Sequence, residues 1–520
     1  MAGAGSGPEP ASGSSPDPIE VQITAGALAS ACEEMGAVLV RSAHSANIKE
    51  RRDCSAAIFA PDGGMVMQAE HIPVHLGSMP ASVRAVAGKP HFPGVSWFLN
   101  DPYAGGTHLP DITVVTPAFL DGELIGFAAN RAHHADVGGD VPGSMPADST
   151  TLDEEGVIIP PRILDEESIL EVVTLMRQPE QRRADLRAQL AANRAGVGRL
   201  EAMASDRGID GLARAMDDVI SYAENRTRAE IERIPDGTYC ATDLLEAREG
   251  DLELRLEATV SGSSIRFDFT GSSGPDSGNL NCPRAVTESA CFFAIRVLTD
   301  PDIPASSGAW RPVEVVVPDG SLLSAQPPSA VVAGNVETSS RVADLCLSAF
   351  GLAQGQGTMN NLTLGGENFT YYETLGGGQA ASDRADGPSA VHVAMSNTLN
   401  TPIEALENEF PLRAGEYSVR RGSGGEGGHR GGDGLTREIV AEEQISFALL
   451  TERRRHAPAG AEGGAPGERG RNLLVRKDGS AEDLEPKSAG RLEPGDRLRI
   501  ETPGGGGFGT GGGAGSSLDA

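Results

Sequence analysis

The spacing of apolar residues divides the chain into helical and strand-like stretches. Asp17 and Pro18 open a segment whose apolar residues recur at near-helical spacing as far as Leu39, and proline suits the first turn of a helix. Between residues 55 and 116, short apolar runs are broken by tight turns, which is typical of strands. The charged stretch 180–234 keeps apolar residues at helical intervals and predicts one or two long helices that cover a sheet.

The second half of the chain is predicted to be richer in strands. Residues 252–256 and 265–269 alternate between apolar and polar, which predicts half-exposed antiparallel strands. Residues 284–300 have the pattern of a mostly buried helix. Strands and glycine-rich loops then alternate up to about residue 415, and the region beyond it is predicted to be all β.

These elements predict an α+β protein of several subdomains, with mainly antiparallel and mixed sheets covered by helices and an all-β C-terminal region. At 520 residues the chain is too long for one compact core. Both termini consist mostly of Gly, Ser, Pro and Ala, which favours disorder. The predicted parts are a disordered tail (1–16), an α+β region with the candidate metal site (17–235), a central α+β region (236–415), a β-rich region (416–510) and a disordered tail (511–520).

Net charge and cysteine content limit which binding partners and which cellular compartment we expect for the protein. The chain has 43 basic and 73 acidic residues, a net charge of −30, which would repel nucleic acid and anionic membranes. The six cysteines are scattered without a CxxC pair, as expected for reduced thiols. We expect no membrane span, which would need an apolar run of roughly 18–20 residues, and the N-terminus does not have the pattern of a signal peptide. We therefore expect a soluble, cytoplasmic protein.

Two short stretches gather metal-binding side chains. Residues 100–111 include His108 and Asp111, and residues 130–139 include two adjacent histidines and an aspartate. The strand-like runs between them are joined by Asp-Gly at 121–122, which predicts a hairpin that returns the second stretch to the first. Imidazole together with carboxylate is a ligand set for a divalent ion such as Mn, Fe or Zn. The first hypothesis is therefore a metal site.

The histidines of this site have competing interpretations. Because His133 and His134 are adjacent, a strand would point them to opposite faces, so that one binds metal and the other contacts substrate or supports a ligand. His71 and His75 follow the first strands and are further candidates for a polar pocket, although each could equally be structural.

The glycine-rich stretches do not have the pattern of nucleotide loops. The sequence contains no GxxxxGK[ST] motif, and no GxGxxG follows a strand, so residues 422–432 are interpreted as a tight structural loop. The polar run 335–341 precedes an apolar helix and contains Glu337 and Arg341. It is either a helix cap or a substrate contact.

Several long motifs, in order along the chain, resemble the hydantoinase B family from about residue 17 to 510. They are NIKERRD (47–53), HIPVHLGSMP (71–80), NDPY with GGTHLPD (100–111), NRAHHADVGG (130–139), PGSMP (142–146), DLRAQ with AN (185–193) and PGGGGFG (503–509). Members of this family include the B subunit of ATP-dependent N-methylhydantoinase, the C-terminal half of 5-oxoprolinase, and the catalytic subunits of acetone and acetophenone carboxylases.

The resemblance implies a B-type subunit that acts with an actin-like hydantoinase A-type ATPase subunit. ATP bound by that partner would phosphorylate a substrate oxygen, and the activated cyclic amide would be hydrolysed beside a divalent metal, Mn, Zn or Fe. A hetero-oligomer is therefore expected. The alternatives are the catalytic subunit of an ATP-dependent ketone carboxylase, with a small ketone as substrate, and a non-enzymatic scaffold for the A-type partner.

With this resemblance, the site residues are assigned roles. The predicted metal ligands are Asp111, His133 or His134, and Asp136. The predicted catalytic residues are His108, His134 and His75, and the candidates for substrate contact are His71, Glu337 and Arg341.

Overall fold

The computed structural model describes residues 17–69, 72–366 and 368–511. The predicted disordered tails, apart from residue 511, and the candidate His71 lie outside the described residues. The helices are α1 (Pro18–Ser42), α2 (Ala46–Lys49), α3 (His75–Ala87), α4 (Glu166–Val173), α5 (Pro179–Arg207), α6 (Ile209–Ile231), α7 (Arg284–Leu298), α8 (Ser307–Trp310), α9 (Ser339–Ala349) and α10 (Ile403–Glu409). Pro102–Ala104 and Leu152–Glu155 form 3-10 turns, and Gly334–Thr338 forms a π-helical turn.

The strands form four sheets. The strands are β1 (Cys54–Phe59), β2 (Met65–Ala69), β3 (Ser96–Leu99), β4 (Asp111–Leu120), β5 (Glu123–His133), β6 (Arg162–Leu164), β7 (Gly237–Ala247), β8 (Gly250–Ser261), β9 (Ser264–Asp268), β10 (Val313–Val316), β11 (Asn361–Gly365), β12 (Thr370–Glu373), β13 (Leu412–Arg420), β14 (Gly434–Ala441), β15 (Ile445–Leu450), β16 (Arg471–Val475), β17 (Ala481–Leu484), β18 (Lys487–Leu492) and β19 (Arg497–Glu501). Their orders are β2-β1-β5-β4-β3-β6, β10-β9-β8-β7, β12-β11-β15-β18 and β13-β14-β19-β16-β17.

The predicted fold class is confirmed: the molecule is a mixed α+β protein with several antiparallel and mixed sheets. Neighbouring strands are antiparallel except for β9 and β10, which are parallel. The long helices predicted from residue 17 onward and at 180–234 are present as α1, α5 and α6. After α10, the chain up to residue 511 contains strands and loops alone.

Helix α1 shows why apolar composition alone is a weak guide to membrane insertion. Its most apolar window has a mean hydropathy of 1.4, so by length and composition the helix could cross a membrane, contrary to our sequence expectation. In the structure 44% of that window is buried. Leu28, Met35 and Leu39 pack in one core with Ile58 of β1 and Leu200 of α5. One side of the helix therefore packs in this core.

Amide side chains of α5 fix the β4–β5 pair beneath the helix. Gln189 donates from Nε2 to the Ile112 carbonyl at 2.8 Å and to Asn130 Oδ1 at 2.9 Å. Asn193 donates to the Val114 carbonyl at 3.0 Å. Buried amides with several partners fix the register of packed elements, because any shift leaves a polar group unpaired. This contact holds the strands that carry the candidate site.

Backbone segments near the end of the described chain pack against each other with no space for side chains. A Cβ atom on Gly505 would lie 2.0 Å from the Gln379 carbonyl oxygen, and one on Gly431 would lie 2.0 Å from the Gly505 oxygen. Gly505 also donates its N–H to the Gly432 carbonyl at 2.9 Å. Glycine is needed here because the backbones touch. We call Gly378, Gly424, Gly431, Gly432, Gly504 and Gly505 the glycine cluster.

Candidate functional site

The β4–β5 hairpin brings the two metal-binding stretches together. Asp111 at the start of β4 pairs in register with His133 at the end of β5. Asp121 and Gly122 both have positive φ, 51° and 85°, as a tight hairpin turn of the primed type requires. The predicted hairpin is confirmed. It places a carboxylate and an imidazole from the two stretches side by side.

His108 reaches the same point from the loop before β4. Asn100 holds this loop, since its Nδ2 donates to the Leu109 carbonyl at 2.8 Å and its Oδ1 accepts from the Ile159 N–H at 2.6 Å. His108 Nδ1 lies 3.3 Å from Asp111 Oδ2 and 2.9 Å from Asn335 Nδ2. Asn335 belongs to the π-helical turn before α9, so a distant element also contacts this histidine.

One oxygen of Asp111 receives all of the carboxylate's contacts. Thr107 donates its hydroxyl to Oδ2 at 2.6 Å, and His75 Nε2 lies 3.4 Å from the same oxygen. His75 begins α3, and its Nδ1 is 2.8 Å from Ser55 Oγ. Asp111 Oδ1 has no hydrogen-bond partner although it is buried. The carboxylate is therefore held by one oxygen and has a free second oxygen.

The ring of His133 is held by an amide and an aromatic side chain. Asn47 Nδ2 lies 3.1 Å from His133 Nδ1. The ring of Tyr372, in β12, stacks on the imidazole with centroids 4.5 Å apart and planes 6° apart. His108 and His133 are themselves close, with ring centroids 4.9 Å apart.

These side chains line one small cavity of about 20 Å³, the space of roughly one water molecule. The cavity lies between β4, β5 and α3 on one side and β12 on the other. Its lining residues are Asp53, Ile72, Val74, His75, His108, Asp111, His133, Asn335, Val336, Met359, Tyr372, Thr374, Ser396 and Thr398. The site therefore forms where the N-terminal half of the chain meets the third sheet.

Burial sets the protonation of these groups. Loss of hydration lowers the pKa of His133 well below its usual range, and lowers the pKa of His75 despite its contact with Asp111. Burial alone would raise the pKa of Asp111, but His108 and His75 outweigh it and hold that pKa well below its usual range. Burial raises the pKa of Asp53 to about 7, against the attraction of Arg51. His75 and His133 are thus neutral near pH 7 and have nitrogen lone pairs available as ligands.

Four atoms of side chains that line the cavity are buried without a partner: His108 Nε2, Asp111 Oδ1, His133 Nε2 and Asn335 Oδ1. Imidazole nitrogen and carboxylate oxygen are the atoms that bind Zn, Mn or Fe. As the side chains stand, no three His, Cys, Asp or Glu residues within 17–69, 72–366 and 368–511 are placed to hold an ion. His75 and His108 instead both face Asp111 Oδ2. Binding an ion therefore requires ligand side chains to move from these positions.

Two of the predicted ligands lie outside the cavity. His134 points to the other side of the strand, where its Nε2 is 3.0 Å from Gln189 Oε1, as the alternation along a strand requires. Asp136 accepts from the Gly138 and Gly143 N–H groups at 2.7 Å each and pairs with Arg177 at 3.1 Å. Its two oxygens are therefore occupied in holding a loop.

Glu337 and Arg341 also lie away from the cavity lining. Glu337 accepts the Met359 N–H at 3.2 Å through Oε1, its Oε2 is unpartnered, and burial raises its pKa to about 8. Arg341 is fully buried and pairs with Glu452 at 3.0 Å and Asp243 at 3.3 Å. An arginine with these partners stabilises the packing of α9, and its role as a substrate contact stays a prediction.

Sequence reasoning missed Asp53, Asn47 and Tyr372 as site residues, and it marked Asn335 only as part of the polar run 335–341. Asn47 and Asp53 lie within the motif 47–53, which resembles the hydantoinase B family but does not have the spacing of metal ligands. Asn335 lies 227 positions from His108, its partner, and nothing local marks either Asn335 or Tyr372 as facing the cavity. Only the packing of β12 and the π-helical turn against the hairpin reveals them.

The chain matches the family model described as Hydantoinase B/oxoprolinase over residues 17–511. The chain belongs to this family. Among curated relatives, 5-oxoprolinase 1 of Arabidopsis thaliana is 40% identical over 513 residues, which are 92% of this chain and 40% of the relative. The chain thus spans about two fifths of the length of that relative. A Pseudomonas protein, provisionally named as the B component of a D-/L-hydantoinase, is 28% identical over 95% of this chain and 90% of the relative.

Two solved structures have the same fold as this chain. The ATP-dependent caprolactamase from Pseudomonas jessenii superposes with a TM-score of 0.89 and 26% identity, over 96% of this chain and 92% of the other. The nucleotide-free acetone carboxylase superposes with a TM-score of 0.87 and 18% identity, over 95% of this chain and 76% of the other. At that identity the second likeness shows the fold alone.

Proposed function

We propose that this chain is the B-type subunit of an ATP-dependent hydrolase of cyclic amides, of the 5-oxoprolinase or hydantoinase type. Its relatives are named as a 5-oxoprolinase and a hydantoinase component, and the similar solved structure is named as a caprolactamase. All of these names refer to reactions of cyclic amides. A cyclic amide is a poor electrophile, and phosphorylation of its oxygen creates a far better leaving group.

The observation that carries the proposal is the set of buried side-chain atoms around one cavity that have no hydrogen-bond partner and could bind a metal ion. His108, Asp111 and His133 would hold a divalent ion, Mn, Zn or Fe, and the carboxyl group of Asp53 lines the same cavity as a fourth candidate. Burying unpaired polar atoms is costly, so several of them around one cavity favour a ligand. When bound, such an ion polarises a carbonyl group and makes water more acidic.

The chain's own residues then handle protons. Hydrolysis of an amide requires a water molecule to lose a proton and the ring nitrogen to gain one. His75 lines the cavity and links Ser55 Oγ at Nδ1 to Asp111 at Nε2, so it is placed to carry a proton between the cavity and the hydroxyl group. His108 is assigned to the ion, with proton transfer as its alternative role. The role of His134 as a catalytic residue stays a prediction without a cavity contact to support it.

An A-type ATPase partner would supply the phosphoryl group. The sequence contains no GxxxxGK[ST] loop, and the Pseudomonas relative named as a B component implies a companion A component. The substrate is a small cyclic amide, ATP is bound by the partner, and the assembly is a cytoplasmic hetero-oligomer. Nucleic acid and membranes are not expected as partners of a chain with a net charge of −30.

The test is to purify the chain with and without its A-type partner and to measure ATP hydrolysis with 5-oxoproline, hydantoin and caprolactam. We expect turnover of at least one cyclic amide by the complex and no ATP hydrolysis by the chain alone. ATP hydrolysis by the isolated chain would contradict the division of labour. Activity with acetone and bicarbonate, but with none of the amides, would support a ketone carboxylase instead.

A matched variant separates an enzyme from a scaffold. The Asp111→Asn complex should assemble but lose turnover, because the substitution keeps the volume of the side chain and removes its charge. A complex with full turnover after this substitution would show that this chain supports its partner without contributing the metal site.

A further inference from the structure

Three planar side chains form a continuous stack at the edge of the cavity. Tyr372 lies on one face of the His133 ring at 4.5 Å, and the guanidinium carbon of Arg51 lies 4.5 Å from the centroid of the Tyr372 ring. All three are buried. We call this arrangement the Arg51–Tyr372–His133 stack.

Arg51 is itself fixed by hydrogen bonds to the segments that carry and flank Tyr372. Its Nη1 donates to the Tyr372 carbonyl at 3.1 Å, and its Nη2 donates to Thr374 Oγ1 at 2.6 Å and to Thr398 Oγ1 at 3.2 Å. Arg51 follows α2, in the N-terminal half, whereas Tyr372 belongs to β12 of the third sheet. The stack therefore joins the two parts of the molecule that meet at the cavity.

A histidine that binds a metal ion must have the correct ring orientation as well as lie close to the ion. The lone pair of an imidazole nitrogen lies in the ring plane, so rotation about χ2 turns it away from an ion. Stacking on Tyr372 permits only orientations in which the two rings stay nearly parallel, and Asn47 at Nδ1 leaves Nε2 as the free nitrogen. Side chains that orient a ligand in this way strengthen metal binding without touching the ion.

We propose that Tyr372 and Arg51 are positioning residues that fix the ring of His133 for metal binding. This inference rests on the metal site proposed above. Its consequence is that the His133 ring is held in the ligand orientation only when β12 is packed against the β4–β5 hairpin, because Tyr372 and His133 come from these elements.

The neighbouring tyrosine provides a matched control. Tyr371 is also buried and also lies in β12, but it faces the other side of the strand and packs on Phe410 with centroids 5.2 Å apart. Loss of either tyrosine removes a large buried ring. Only the loss of Tyr372 releases His133.

The experiment uses the full chain loaded with Co²⁺, whose visible absorption reports the geometry of its ligands, with affinity measured by competition with a chelator. Tyr372→Leu should weaken Co²⁺ binding about 10- to 100-fold and change the spectrum. Tyr372→Phe keeps the ring and should restore both, although it loses the hydrogen bond with Asn361. Tyr371→Leu should lower the melting temperature and leave Co²⁺ binding unchanged.

Unchanged Co²⁺ affinity and spectrum in Tyr372→Leu would overturn the inference while the metal site stands. If the wild-type chain binds no Co²⁺, the proposed metal site fails and the inference fails with it. If Tyr372→Leu does not fold, the Arg51→Lys variant tests the inference instead. Lysine keeps the positive charge but has neither the planar guanidinium group nor its several N–H donors. We expect weaker Co²⁺ binding in Arg51→Lys, and wild-type affinity there would overturn the inference.

Discussion

At the scale of single residues, Asp111 and Asp136 show how two similar aspartates differ in environment. Asp111 Oδ1 is buried and unpartnered, whereas Asp136 uses both oxygens on backbone N–H groups and Arg177. A carboxylate with an unsatisfied buried oxygen is costly unless a ligand completes it. The two residues are therefore expected to respond differently to the same substitution.

Asp111→Asn should reduce metal affinity by at least about 100-fold, more than the loss of an outer-shell partner typically does. Asp136→Asn should destabilise the fold by about 1–3 kcal/mol and leave metal content intact, because its partners are loop amides and a half-exposed arginine. Metal analysis and thermal unfolding of both variants check this. Loss of metal in Asp136→Asn alone would reverse the assignment.

Glu337 gives a prediction for the dependence of stability on pH. Burial raises its pKa from 4.5 to about 8 in the folded state, so between these values the folded chain holds a proton that the unfolded chain has lost. Its contribution to stability is complete below about pH 4.5 and is lost as pH rises towards 8. Glu337→Gln stays neutral, and its stability relative to the wild type should rise from pH 5 to pH 8. Chemical unfolding across this range tests the sign, and a constant difference would contradict it.

At the scale of elements, the loop before β4 depends on glycine for the close approach of α3. Gly105 has a φ of 95°, and a Cβ atom there would lie 2.5 Å from the backbone carbon of Ala81 in α3. Its carbonyl accepts from Ser82 Oγ at 2.7 Å and from Arg131 at 3.2 Å. The loop that carries His108 is thus pressed against the helix that carries His75.

Gly105→Ala should destabilise the protein by about 2–5 kcal/mol, which combines the cost of a left-handed backbone with that of overpacking. Gly122→Ala is the matched control, because its φ of 85° is similar but no atom lies within 4 Å of the added carbon. It should cost about 1–2 kcal/mol. Denaturant unfolding measures both, and equal losses would show that the contact with α3 is unimportant.

The same elements show how far sequence reasoning reaches. The hairpin was predictable because its signals, Asp121 and Gly122 between two apolar runs, are local. The opposite orientations of His133 and His134 followed from strand alternation alone. Tyr372 and Asn335 could not be found in this way, because their place in the site depends on the packing of distant elements. Asp136 was chosen for its spacing, and spacing does not reveal that backbone amides already occupy its oxygens.

At the scale of the whole molecule, the C-terminal strands depend on the glycine cluster. In this cluster a Cβ atom would overlap neighbouring backbone at about 2 Å, which no change of rotamer relieves. The cluster joins residues near 378, 424–432 and 504–505, so it ties three separate loops together.

Gly505→Ala should destabilise the folded protein by about 3 kcal/mol or more, because its added carbon would meet backbone. Gly428→Ala is the control from the same region, where the nearest atom would be 3.4 Å away. Its melting temperature should stay close to that of the wild type. A Gly505→Ala protein that melts with the wild type would mean that the loops can separate without loss of stability.

The late position of Gly504 and Gly505 along the chain has a consequence for synthesis on the ribosome. Gly378, Gly424 and Gly431 are made first, yet their backbone partners emerge some 70 to 130 residues later. At a translation rate of about 5–20 residues per second, the amide groups of these loops stay without their partners for several seconds. The β-rich region therefore closes only after Gly504 and Gly505 have been made.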